Sequence, residues 1–344
     1  MKTSTPGASA GPRFWARVAH LALLPLAAWG CGALWFQFPA GAVGRGAAAA
    51  AWGAFSLAVL AWPALAGPGR RGRRAWAAGY ALAAITLLGW WHTLQPSNDR
   101  LWADDVQRML QGSVQAGRVR LDNVRNFEWR SDTDYTARWE TRNYDLEHLR
   151  SVDMILSTWG MPAIAHTLVS FGFDDGRHLV FSVEIRKERT EAFSELGGLF
   201  KQFELSVVAA DERDIVFVRT GVRGERVFLY PVHMPVPAMR ALFLSYVDTA
   251  NSLHRAPRFY HTLTANCTTL VYRMVRAIVP GLPADYRIVL SGLLPEYLYE
   301  HGGLDTSRPL AALRRDADIG ERARQAGNTP NFSTDIRQTR PPPP

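Results

Sequence analysis

The first 94 residues contain no Asp or Glu, in a chain of 344 residues that has 31 of them further on. That segment holds three uncharged apolar runs, roughly Val18–Phe38, Ala47–Ala66 and Ala75–Leu94. About 20 apolar residues in a helix match a hydrocarbon core of about 30 Å, so each run is expected to be a membrane span. Trp35, Phe36, Trp90 and Trp91 stand near the outer ends of the first and third runs, where interfacial aromatics collect. A buried helical bundle of a soluble protein is the alternative, and the lack of any acidic residue argues against it.

The net charge of +8 sits wholly in this third. Lys2, Arg13, Arg17, Arg45, Arg70, Arg71, Arg73 and Arg74 are its basic residues, and beyond Leu94 the 31 basic residues balance the 31 acidic ones. A basic face for nucleic acid is therefore not expected. Lys2, Arg13 and Arg17 precede the first run, four arginines separate the second from the third, and Arg45 alone lies between the first two. Basic loops stay cytoplasmic, so the N-terminus is expected inside and everything after Leu94 on the far side. A cleaved signal peptide does not fit, because two further runs follow. Nor does lipoprotein processing at Cys31, since bulky Trp29 sits where small residues are needed.

Beyond Leu94 the pattern mixes strands and helices. A short helix is expected at 101–111 after Ser97-Asn98-Asp99, with strands at 119–124 and 152–158. The clearest hairpin joins Ala165–Phe173 to Arg177–Arg186 through Asp174-Asp175-Gly176. A helix is expected at 190–203, strands at 205–210, 215–219 and 226–230, and helices at 235–253, 268–279 and 293–300. From about Arg314 the chain turns polar and ends in four prolines, which reads as disorder. The fold class is α+β, with a central antiparallel sheet and packed helices.

The only two cysteines are Cys31 inside a span and Cys267 far along the chain. They are not expected to pair, which leaves Cys267 a free thiol outside the cytoplasm. It follows Asn266, a favoured N-cap, and opens an apolar-periodic helix. The dipole and unpaired amides of a helix start stabilise a thiolate and can hold an oxyanion. A small buried cysteine under a cap fits the same residues. A nucleophilic cysteine needs a base. Among the histidines, His178 lies in the hairpin turn, His233 in a loop, His254 and His301 near helix ends, and His148 in a polar stretch. His166 opens a hairpin strand among apolar neighbours, and a three-residue turn at 174–176 sets it opposite Glu184, able to fix its tautomer. A slip of one residue would bring Val183 or Ile185 instead. His261, six residues before the cysteine, is the rival base, and a hydrogen-bonded core histidine is the plain reading of His166. No HExxH, paired CxxC or phosphate-binding glycine loop is present, so no metal or other cofactor is expected. Glu296 and Glu300 have the spacing of a solvated helix face.

Several segments in order carry a family resemblance: Val124-Arg125-Asn126-Phe127, Ile164-Ala165-His166-Thr167 running into Ser170–Gly176, Ser182-Val183-Glu184-Ile185-Arg186, Asp211-Glu212-Arg213-Asp214 and Asn266-Cys267-Thr268-Thr269. Over about residues 115–310 the chain resembles the Lnb N-terminal periplasmic domain family, itself similar to circularly permuted papain-like NlpC-type thiol enzymes. The resemblance implies Cys267 as nucleophile and His166 as base. It also implies a bacterial inner membrane, a periplasmic domain, and membrane lipids or lipoproteins as substrates for acyl transfer to an amine. In the name-giving members the periplasmic domain comes first, whereas here three apolar runs precede it. Cys267, His166 and Glu184 are thus the expected catalytic set of a cysteine-nucleophile acyltransferase. Amide hydrolysis on peptide or cell wall and a non-catalytic binding module are the alternatives. The organisation expected is a cytoplasmic tail (1–17), three spans (18–94), a papain-like domain (95–313) and a disordered tail (314–344). A reporter active only outside the cytoplasm is expected to be active when fused after Leu94 and silent when fused near Arg71; the reverse pattern would invert the topology.

Overall fold

The computed structural model describes residues 12–65 and 70–338. They form two compact units, one reaching Gln95 and including Phe200–Gln202, the other containing the rest from Pro96 onward. The first unit has three helices, α1 (Pro12–Gln37), α2 (Ala42–Leu65) and α3 (Arg70–Thr93). Trp52 of α2 stacks on Tyr80 of α3 with ring centroids 5.2 Å apart, and its indole N–H donates to Ala27 O of α1 at 3.1 Å. Gly30 lets that indole approach, because a Cβ there would lie 2.2 Å from the ring nitrogen.

All three expected runs are helical, but among the described residues only Ala42–Ala61 of α2 is long and apolar enough to cross a membrane, with mean hydropathy 1.3. In α1 the described apolar stretch is the shorter Leu23–Gln37. In α3, Gly79, Tyr80, Thr86, Gly89, Trp90, Trp91 and His92 dilute the apolar content after an arginine-rich first turn. Freedom from charge is a weaker criterion than hydropathy, and among the described residues the two agree on α2 alone.

The second unit is built on strands β1 (Gln111–Gln115), β2 (Arg118–Arg125), β3 (Glu128–Trp129), β4 (Tyr135–Thr136), β5 (Trp139–Asp145), β6 (Leu149–Thr158), β7 (His166–Phe173), β8 (His178–Arg186), β9 (Glu204–Asp211) and β10 (Arg226–Pro231). Eight of them form one sheet in the order β1-β2-β9-β8-β7-β6-β10, with β5 also paired to β2. Every pair is antiparallel except β2 with β9. The middle strands are near-continuous apolar runs because both faces are covered. Helices follow as α4 (Glu212–Ile215), α5 (Val236–Arg255), α6 (Cys267–Ile278), α7 (Leu294–Glu300), α8 (Leu310–Ala317), α9 (Gly320–Ala326) and α10 (Phe332–Asp335).

Alternation along the strands sorts the core into layers. Val169, Phe171, Phe181 and Val183 pack with Phe243 and Tyr246 of α5 and with Leu270 and Met274 of α6. Phe181 stacks on Tyr246 at 4.8 Å, and Phe171 meets Phe243 edge-on at 5.2 Å. The opposite positions, Leu168, Val180, Val208 and Ala210, pack with Ile215, Ile319, Ala323, Phe332 and Ile336. Burying one such side chain contributes about 1.5–3 kcal/mol.

Four expected segments differ. At 101–111 there is only a 3-10 turn, Asp104–Val106, before β1. Arg186 reaches in to donate to Val106 O, Gln107 O and Asn98 Oδ1, so these groups need no helix. The stretch 190–203 is irregular around Gly197-Gly198, with backbone groups bonded to Thr262 instead. At 215–219 the chain is helical rather than a strand, because Asp211 caps α4 at Arg213 N and a π turn, Val218–Val222, follows. The tail from Arg314 is helical and docked, with Phe332 and Ile336 fully buried; the four prolines lie outside the described residues. A few widely spaced apolar residues suffice to dock it, and composition alone hides them.

Arg337 fastens that tail. Its guanidinium grips Glu212 with both nitrogens at 2.7 Å and reaches Asp153 at 2.6 Å, and both carboxylates are buried. Burial pushes the Glu212 carboxyl up, but Arg337 outweighs it and holds it near 2 against an ordinary 4.5, while burial dominates at Asp153 and raises it. The Glu212 contribution is therefore complete above pH 4.5 and lost as pH falls toward 2. Arg337→Leu strands two buried carboxylates and is expected to cost about 3–5 kcal/mol, read as a lower denaturation midpoint at neutral pH; a loss below ~1 kcal/mol would show that water replaces the arginine.

Candidate functional site

Cys267 is the first residue of α6, and a reciprocal cap fixes it there. Asn266 Oδ1 accepts from Thr268 N at 3.0 Å and Thr269 N at 2.7 Å, while Thr269 Oγ1 accepts from Asn266 N at 3.1 Å. The cap thereby occupies two of the amides expected to serve an oxyanion. Among the described residues the Cys267 N–H is the amide of this turn left unbonded. The Thr167 backbone N–H and the Thr268 hydroxyl, whose Oγ1 lies 3.8 Å from the sulfur, both favour its thiolate.

His166 opens β7, and its hairpin register is the one the turn dictates. Phe173 N bonds Arg177 O across Asp174-Asp175-Gly176, with Gly176 at φ +83°, and Leu168 pairs with Ser182. His166, Ser182 and Glu184 thus share one face of the sheet. His166 Nε2 lies 2.7 Å from Ser182 Oγ and 3.2 Å from Glu184 Oε1, and Ser182 Oγ donates to the same carboxylate oxygen at 2.7 Å. With Nε2 so engaged, Nδ1 is the ring nitrogen left for the Cys267 thiol, whose charge and that of the imidazole stabilise each other. Strand entry is held by Ser291, whose Oγ accepts from Ala165 N at 2.9 Å. Gly292 permits that approach, since a Cβ there would meet Pro162 O at 2.0 Å.

Two residues join the set that sequence reasoning had given no role. Arg219, on the π turn, donates to Glu184 Oε1 at 3.0 Å and to Ile215 O at 2.7 Å. Its segment reads as a strand in sequence, which conceals where the guanidinium points. Ser182 was findable, because it stands two residues before Glu184 on a strand and must share its face. The rival base His261 accepts from Leu263 N at 3.3 Å within its own turn, and it is His166 that meets the thiol.

Charge is stabilised here against burial. Desolvation pushes the His166 imidazole down, but the Glu184 carboxylate and Cys267 raise it to about 9. Burial raises the Cys267 thiol, and the His166 imidazolium outweighs this and lowers it. Glu184, also opposed by burial, is held well below the carboxylate range by His166, Arg219 and Ser182. A thiolate–imidazolium pair is the state these shifts favour.

Cys267, His166 and Glu184 line a cleft of about 400 Å3, with Trp159, Phe193 and Leu263 among its walls. On the other side of the Thr167–Thr268 hydroxyl pair, 3.1 Å apart, lies an apolar cavity of about 230 Å3 lined by Val169, Leu242, Val271 and Leu298. The arrangement brings together a thiol, an imidazole, a carboxylate bonded to that imidazole, a backbone amide with no partner among the described residues, and adjacent apolar room.

Residues 135–292 match the family model described as Lnb N-terminal periplasmic domain. The matched segment contains His166, Glu184 and Cys267, and its similarity to that family agrees with the motifs quoted above. No curated protein and no solved structure matches the chain.

Alkylation should report the pair directly. His166, raised to about 9, holds its proton below that pH and loses it above, so Cys267 is expected to react with iodoacetamide near neutral pH, below the usual thiol pKa of about 8.5. The rate should change again as pH passes about 9. His166→Ala should move reactivity up to the ordinary thiol range or beyond, and Glu184→Gln should bring the upper step from about 9 toward 6.5, both read by mass spectrometry of the Cys267 peptide. A thiol inert at every pH in the folded protein would mark Cys267 as structural.

Proposed function

We propose that this is a membrane-anchored periplasmic thiol enzyme that transfers an acyl group through a Cys267 thioester. What carries the reading is the meeting of Cys267, His166 and Glu184 at a capped helix start, beside an apolar cavity. The Cys267 thiolate attacks an ester carbonyl, with its own N–H facing the developing oxyanion. The C–O bond breaks, His166 gives its proton to the departing alkoxide, and an acyl thioester remains. An amine then attacks that thioester, His166 takes the amine proton, and the Cys267 thiolate leaves as the amide forms. Glu184 supports the imidazolium at both steps, and Arg219 holds Glu184. The apolar cavity beyond Thr167 and Thr268 gives an acyl chain somewhere to lie.

The chain order, histidine strand before cysteine helix, is that of a permuted papain-like domain and supports that fold reading. α1 and α3 flank the apolar α2, and with the acid-free composition they support three spans with the second unit outside. Wild-type protein incubated with phospholipid or diacylated lipoprotein is expected to accumulate a hydroxylamine-sensitive acyl group on Cys267, and Cys267→Ala is expected to accumulate none. Cleavage of a peptide amide without any lipid-derived thioester would replace this reading by a hydrolase. Neither reaction, with a thiol that alkylates normally, would leave a binding module.

A further inference from the structure

We propose that the mouth of the Cys267 cleft and the adjoining outer face of α6 dock onto the surface of an anionic phospholipid bilayer, with Arg273 and Arg276 seated against lipid phosphates. Four large apolar side chains line the cleft and are exposed: Trp159 at 40%, Phe193 at 53%, Leu263 at 50% and Val289 at 41%. They come from four separate loops, so no single element's own packing explains the cluster. Trp159 and Phe193 meet edge-to-face at 6.1 Å, and exposed Met161 and Leu196 extend the same two loops. A contiguous exposed apolar rim on a folded domain marks an interaction surface.

The charge beside it selects the partner. Leu263 also borders a second groove, of about 560 Å3, on the outer face of α6, with Tyr272, Arg273, Arg276 and Ile288. Arg273 and Arg276 are exposed one turn apart, and neither guanidinium makes a hydrogen bond or ion pair among the described residues. Most arginines of this unit are paired, among them Arg125, Arg142, Arg219, Arg287 and Arg337. Of the acidic side chains that line the cleft, Glu195, between Phe193 and Leu196, is the exposed one, and Asp105, Glu184 and Glu225 are half-buried; none of them lines the groove of Arg273 and Arg276. Apolar side chains flanked by unpaired arginines match a headgroup layer, where the rings sit among acyl carbonyls and guanidinium groups meet phosphates. The inference rests on the reading of a periplasmic domain tethered to a membrane, and does not depend on what Cys267 does.

The test uses the full chain in nanodiscs, with Cys31→Ala and Cys267→Ala, and an environment-sensitive fluorophore on Leu263→Cys. In phosphatidylcholine discs containing phosphatidylglycerol, emission should be quenched by lipids carrying a doxyl group on the acyl chain. The same fluorophore on Val114→Cys, exposed on β1 and outside the cleft, should not be quenched. Phosphatidylcholine alone should weaken the quenching. Each basic side chain at an anionic surface is worth about fivefold, so Arg273→Gln with Arg276→Gln should lower the docked-to-free ratio by about 25–30-fold. No quenching at position 263, or quenching indifferent to phosphatidylglycerol and to both arginines, would overturn the proposal. Because Cys267 is absent from the probe protein, that failure is distinct from a failure to form an acyl thioester.

Discussion

A carboxylate that must be buried beside a histidine organises this site. Glu184 gives up most of its water, and a buried charge is tolerated only when paired and hydrogen-bonded. It is met by His166, Ser182 and Arg219, and each partner comes from a different structural device. The hairpin register supplies His166, strand alternation supplies Ser182, and the π turn after α4 supplies Arg219. The π turn lets Arg219 bond both Ile215 O and the carboxylate, which ties the helical side of the sheet to the chemistry on its end. α6 then needs only to bring Cys267 to the remaining imidazole nitrogen.

The parts legible in the sequence are those governed by local rules. Asp174-Asp175-Gly176 is a strong turn, the strand period is 2, and together they set 166 opposite 184 before any coordinates are known. Asn266 before an apolar-periodic run identified the cap and hence the position of Cys267. The parts missed depend on distant partners. Ile215–Arg219 is β-branched and apolar enough for a strand, yet the Asp211 cap and the buried Asp214, bonded to Arg125, Phe127 N and Trp129, hold it helical. Arg186, 80 residues from Val106 in sequence, satisfies carbonyls that would otherwise have needed a helix at 101–111. The tail beyond Arg314 looks disordered by composition, but Arg337 answers two buried carboxylates that no local window shows.

The N-terminal third teaches a related lesson about composition. Absence of acidic residues and runs of suitable length are shared by all three helices, yet among the described residues only α2 has the hydropathy of an independent span. Trp52 and Tyr80 pack between helices, and Ser56 Oγ hydrogen-bonds the Tyr80 hydroxyl at 3.1 Å. Alanine and glycine let helices approach closely, which favours association inside a bilayer over individual apolarity.

On the acyl-transfer reading, the fate of the thioester depends on what reaches it next. Water and an amine compete for the same carbonyl, and water is the more abundant by far. The imidazole can activate either, so His166 and Glu184 do not choose between them. Selection has to come from access. The walls of the Cys267 cleft include Trp159, Phe193, Tyr260 and Leu263, and an apolar rim pressed into a headgroup layer would exclude bulk water from it. Withdrawal of water also strengthens the Glu184–His166–Cys267 electrostatics, because screening falls as the dielectric falls. The same four loops can therefore decide both where the domain sits and whether its thioester ends in transfer or in hydrolysis.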